Sequence, residues 1–148
     1  MNKVVIILIV CTLVLAIYIL TPVEIEGIVD HKLIIGCNEN TCEEILNRPH
    51  PDAPWISVDN KDFEKFFSPT DKNVFVNDSI KEFLERKYTS INYCVAVQVN
   101  SEDPLNDVPK GETFTYFVSI ENFNKVKIGN KVKCKVSRYR IDKITILE

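Results

Sequence analysis

Residues 4–20 run Val-Val-Ile-Ile-Leu-Ile-Val-Cys-Thr-Leu-Val-Leu-Ala-Ile-Tyr-Ile-Leu, 17 residues without a charge, preceded by Lys3 and the α-amino group. Coiled as an α-helix, such a run rises about 26 Å, close to the thickness of a bilayer's hydrocarbon core. A cleaved signal peptide has a shorter apolar region, roughly 7–15 residues, ending in a small-x-small site. Here the run leads through Ala16, Ile17, Tyr18, Ile19 and Leu20 into Thr21 and Pro22, with no such site after the apolar core. A lipoprotein signal ending at Cys11 is excluded by Val10, where a small residue is needed, and by apolar sequence continuing past the cysteine. Residues 1–21 are therefore read as an uncleaved transmembrane signal-anchor, with a cleaved signal as the alternative. The bilayer is then a partner contacted through residues 4–20.

Basic residues stay on the cytoplasmic side. Lys3 and the amino terminus flank one end of the run, while Glu24 and Glu26 follow the other. The expectation is a single-pass protein of the cell membrane with a cytoplasmic N-terminus, and one extracytoplasmic globular domain over residues 22–148. Tyr18 suits the interface at the outer end, and Pro22 suits a helix stop. The formal charge of −3 conceals an asymmetry. Residues 22–122 hold nine basic and 19 acidic side chains, whereas residues 123–148 hold eight basic and two acidic.

Past the anchor, residues 23–35 alternate in hydropathy and predict one long strand, bent at Gly27 and unbroken in phase across Asp30 and His31. Thr41-Cys42-Glu43-Glu44 predicts a short helix reaching Asn47. The proline-punctuated segment 48–55 predicts a loop, and two further short helices are expected after Asp59 and after Asp78. Alternation resumes with Ile91, Tyr93, Val95, Val97 and Val99 on one face. Strands over 113–120, 131–136 and 141–147 follow, with Gly129-Asn130 as a turn signal. One strand, an insertion over 37–90, then four strands resembles an OB-fold, a five-stranded barrel. The stretch from Val126 through Gly129 to Val136 is similar to the start of that fold's fourth strand. The predicted class is α+β: a transmembrane helix, then a small five-stranded OB-like β-barrel with a helical insertion after its first strand. An α+β domain of another topology is the alternative.

Four cysteines beyond the anchor, in an oxidising compartment, favour disulfides. The expected pairs are Cys37–Cys42, closing a tight loop, and Cys94–Cys134, joining two strands. Unpaired thiols are the alternative, and the Cys37-x₄-Cys42 spacing is poor for zinc. No phosphate-binding loop, nucleophile elbow, zinc-protease helix or dinucleotide fingerprint occurs, with glycine only at 27, 36, 111 and 129. No catalytic residue, metal or cofactor is assigned.

Candidate binding residues fall in two places. Lys131, Lys133 and Lys135 share one strand face, extended by Arg138 and Arg140, and would attract polyanions. His50 and Trp55 lie in the proline loop and could form a polar-aromatic pocket. His31 is read as a core histidine. The expected function is a membrane-anchored extracytoplasmic binding or scaffolding domain without catalysis. Its partners would be another membrane or envelope protein, or an anionic polymer. The alternative is an anchored OB-like module taking single-stranded nucleic acid or another polyanion on the Lys131/Lys133/Lys135 face. An extracytoplasmic location disfavours nucleic acid. A third reading is thiol redox chemistry at Cys37 and Cys42.

Overall fold

A computed structural model describes residues 3–148. The apolar run forms α1 (Lys3–Leu20), and none of its side chains is buried against the rest of the chain. It is long and apolar enough to cross a membrane. The Thr12 hydroxyl donates to Leu8 O at 2.8 Å, so it is satisfied within the helix itself. Pro22 cannot continue the helix, and β1 (Val23–Asn38) begins immediately after it.

β1 is the hub of an antiparallel sheet whose other strands are β2 (Thr41–Asn47), β3 (Ser57–Val58), β4 (Ser90–Val99), β5 (Thr113–Val118), β6 (Lys131–Val136) and β7 (Ile144–Ile146). The order is β3-β2-β1-β4-β5, with β6 also on β1 and β7 on β6. Sixteen residues let β1 serve three partners: β6 against Val23–Ile28, β4 against Gly27–Cys37, and β2 against Ile34–Asn38. Gly27 pairs with both β6 and β4, and a Cβ there would come within 2.5 Å of the Val97 side chain. The sheet is not closed into a barrel. β5 and β7 meet at the isolated Phe117–Lys143 bridge, with Phe117 N–H donating to Asp142 O at 2.8 Å.

The unbroken phase expected for β1 is wrong. Val29 pairs with Val97 and His31 with Ala96, so Asp30 is an extra residue, a β-bulge. Because side chains alternate with period two, one extra residue exchanges the faces. Ile25 and Val29 point into the core before the bulge; Lys32 and Ile34 do so after it. His31 is turned off the core and lies half-buried beside Asp30, which corrects its reading as a core histidine.

The insertion also differs from expectation. Residues 41–47 form β2, not a helix, because a hairpin returns the chain beside β1 and buries Ile45 and Leu46. The helix expected after Asp59 is only a 3₁₀ turn at Lys61–Phe63, while α2 (Asp78–Lys87) forms behind the Asn77 cap and buries Ile80 and Leu84. The linker before β6 holds α3 (Ile120–Lys125), capped by Ser119. The main core packs Ile25, Val29, Ile34, Val95, Val97, Phe123, Cys134 and Val136. Leu33, Cys94 and Ala96 make a small cluster on the opposite face.

Cys37 and Cys42 are directly cross-strand and form a disulfide, as expected. Cys94 and Cys134 do not pair: they are buried free thiols in different clusters. Burial pushes both thiols up to about 12, far above the range of a reactive thiolate.

Candidate functional site

The lysine stripe sits where expected, on β6, but its neighbours change its meaning. Register places Lys135 opposite Glu24, Lys133 opposite Glu26, and Lys131 opposite Ile28. Lys133 Nζ lies 3.2 Å and Lys135 Nζ 3.9 Å from the Glu24 carboxylate. The hydrogen bond from Lys133 to Glu24 holds that ammonium's pKa above its ordinary value. These are cross-strand charge pairs of the kind that stabilise a ladder. Lys131 and Lys133 border a hollow shared with Glu26 and Glu148, which further lowers the positive potential of the face.

His50 and Trp55 are not brought together. Lys72 Nζ lies 4.3 Å from the centre of the Trp55 ring, which packs on the core from outside. His50 instead lines a hollow of about 250 Å³ with Asp30, His31, Arg48, Pro49, Pro51 and Thr113. The bulge builds this place, because it swings Asp30 and His31 outward together. Arg48 Nη1 donates to Asp30 Oδ1 at 2.6 Å, and its other nitrogens donate to Pro51 O at 2.5 Å and His50 O at 3.3 Å. Asp30 Oδ2 lies 2.7 Å from His31 Nδ1. Burial raises the Asp30 pKa, but the hydrogen bonds from His31 and Arg48 and the Arg48 charge outweigh it and hold the carboxyl below its ordinary range. The guanidinium is thus spent on the proline loop and the bulge. The arrangement is a clamp that holds the proline loop against the bulge.

Arg138 and Arg140 contribute to a different feature. Ser137 to Lys143 connect β6 to β7 and return the chain to the end of α1. Arg138 Nε donates to Thr21 O at 2.9 Å and Nη1 to the Tyr18 hydroxyl at 3.0 Å, with the guanidinium 4.2 Å from the centre of the Tyr18 ring. A cleft of about 460 Å³ lies between, lined by Ile19, Leu20 and Pro22 on one side. Its other walls are Lys135, Ser137, Arg138, Tyr139, Arg140, Lys143 and Thr145. Four cations and no carboxylate line it. Arg140 is 3.1 Å from Asp142, and the hydrogen bond to Asp142 keeps the guanidinium charged. Sequence reading named the two arginines but not the meeting of Arg138 with Tyr18, since 120 residues separate them.

One chemically unusual group escaped sequence reading altogether. Lys32 is 0% exposed. Its ammonium donates to Asn73 O at 2.7 Å, Val126 O at 2.9 Å and Val74 O at 3.4 Å, and lies 4.1 Å from the centre of the Phe123 ring. Burial lowers its pKa from 10.5 to about 7, and the charge of Asp71 opposes that only in part. Val74, whose carbonyl it holds, has φ +45°, a left-handed conformation that costs a β-branched residue strain. Through these bonds Lys32 ties a strained turn to the core.

Among the described residues no cluster of His, Cys, Asp and Glu could hold a metal ion. Comparison with family models, with curated proteins and with solved structures finds no match to this chain.

Proposed function

We propose that this protein is a single-pass, membrane-anchored binding or scaffolding domain of the cell membrane, lying outside the cytoplasm and working without catalysis. The observation that supports this best is the Arg138 bridge, which seats the β-sheet on the end of α1 through Thr21 O and Tyr18. Tyrosine is enriched where a helix leaves the hydrocarbon for the headgroups. The bound partner is an envelope or membrane protein, or an anionic polymer, met at the surface of the bilayer. Polyanion binding through Lys131, Lys133 and Lys135 is the weaker reading, because Glu24 neutralises much of that face. The test is fractionation and protease protection in intact cells. Membranes washed at high pH should retain the chain, and external protease should digest residues 22–148 without lysis. Release by the wash, or digestion only after lysis, refutes the reading.

A further inference from the structure

We propose that the cleft at the foot of α1 binds the phosphate headgroup of an anionic phospholipid from the bilayer that α1 spans. The inference rests on the reading of α1 as a membrane anchor, and it assigns a ligand to the juxtamembrane face.

Charge is the first argument. Lys135, Arg138, Arg140 and Lys143 converge on one cleft. Glu24 faces Lys135 from β1 at 3.9 Å while lying nearer to Lys133, and Asp142 faces Arg140. Among the described residues no carboxylate is within ion-pair distance of Arg138 or Lys143. A phosphodiester carries one negative charge and oxygens that guanidinium and ammonium groups recognise well.

A second, independent sign is Ser137, which lines the same cleft. Its Oγ is buried and has no hydrogen-bond partner in the protein. A buried hydroxyl left unpaired costs about 1–3 kcal/mol, and a turn of the Ser137 side chain toward the cleft would give it a phosphate oxygen as acceptor. The apolar wall of the cleft points to the source of that phosphate. Ile19 and Leu20, the last residues of α1, form part of the cleft wall, and Leu20 is 73% exposed. Tyr139, 74% exposed, and the exposed Ile141 stand on the same connection. A soluble anion has no use for these apolar surfaces. A phospholipid does, since its headgroup reaches the cations while its acyl chains lie along α1. The volume of about 460 Å³ accommodates one headgroup.

The experiment uses the full chain in neutral detergent micelles, titrated with phosphatidylglycerol or phosphatidylcholine and read by native mass spectrometry as lipid-bound chain. One phosphatidylglycerol should be retained per chain, at least tenfold more tightly than phosphatidylcholine. Lys143→Glu, at an exposed position, should weaken phosphatidylglycerol about 25-fold and leave phosphatidylcholine unchanged, since reversing one cation changes two charges at about fivefold each near an anionic surface. Ser137→Ala, which changes no charge, should weaken it a few-fold, and Lys81→Glu on α2 should have no effect. Equal retention of the two lipids, or wild-type retention by Lys143→Glu, overturns the proposal. So does displacement of phosphatidylglycerol by millimolar inorganic phosphate, which would identify a free-anion site. A chain that leaves washed membranes yet selects phosphatidylglycerol in micelles would fail the anchor reading alone, so the two failures are separable.

Discussion

Lys32→Met removes the buried ammonium while roughly preserving the length of the side chain. In the folded protein the Lys32 pKa is about 7 against an ordinary 10.5. At 1.36 kcal/mol per pKa unit, that gap is an upper bound of about 5 kcal/mol. The sign follows from proton counting. Below about pH 7 both folded and unfolded chains hold the proton, and folding bears the full penalty of burying the charge. Between pH 7 and 10.5 the unfolded chain keeps the proton and the folded chain sheds it, so stability rises with pH, by at most about 1.4 kcal/mol per unit. Above 10.5 the penalty is gone.

The mutant lacks this slope. Its stability at neutral pH is set partly by the Val74 and Val126 carbonyls, which lose their buried donor at about 1–3 kcal/mol each. The pH dependence separates the two effects. The assay is urea unfolding of the full chain in micelles from pH 6 to 10, followed by Trp55 fluorescence. Cys94, Cys134 and Tyr93, all pushed up to about 12, give a slope of the opposite sign at the alkaline end. That slope is common to both proteins and cancels in their difference. The advantage of wild type over mutant should grow by about 2–4 kcal/mol across the range. Profiles parallel to within about 0.5 kcal/mol would show that the Lys32 ammonium is not desolvated, and the argument would fail.

Thiol counting tests the disulfide assignment: in urea without reductant three cysteines should react, and five after reduction. Replacing Cys37 and Cys42 together by serine should cost about 2 kcal/mol in urea unfolding, the loop-closure entropy of so short a ring. Gly36→Ala would set a Cβ 2.5 Å from the Tyr88 ring, which lies flat on β1. It should destabilise by about 1–3 kcal/mol, as other overpacked cores do, visible as a lowered urea midpoint with an unchanged slope.

Much of the sheet was legible because alternation is a local signal. β4, β5 and β6 lie close to where hydropathy put them, and the glycine turn at 129 carries φ +87°. The same alternation already forbade the Cys94–Cys134 pair. Cys94 lies between Tyr93 and Val95, both core-facing, and so must point away, whereas Cys134 shares the core face with Val132 and Val136. What no local signal carried was the bulge. One additional residue at Asp30 leaves the composition of β1 unremarkable, yet it sends a lysine inward and a histidine outward. Pairing with Val97 and Ala96 decides that, and pairing is a property of two distant segments. Residues 41–47 failed for a related reason. A helix-start pattern is worth about 1 kcal/mol, less than the hairpin, disulfide and buried Ile45 and Leu46 that favour β2. The cleft at the foot of α1 lay beyond reading for the same cause, since its two walls come from opposite ends of the chain.

Only Thr21 and Pro22 separate the end of α1 from the start of β1, and Thr21 is itself bound back to Ile17 O through N–H and hydroxyl. A flexible tether of tens of residues would let a domain sweep a volume, with reach growing as about 5–6 Å times the square root of its length. Here there is almost no tether and hence almost no sweep. With α1 as the membrane anchor proposed above, the protein would not cast about for a target; it would sample space by diffusing and turning in the plane of the membrane. Its effective concentration for a second site would then be governed by two-dimensional density. A partner fixed at another height stays out of reach however abundant it is, and lengthening the junction with a glycine-serine spacer would exchange that fixed height for range.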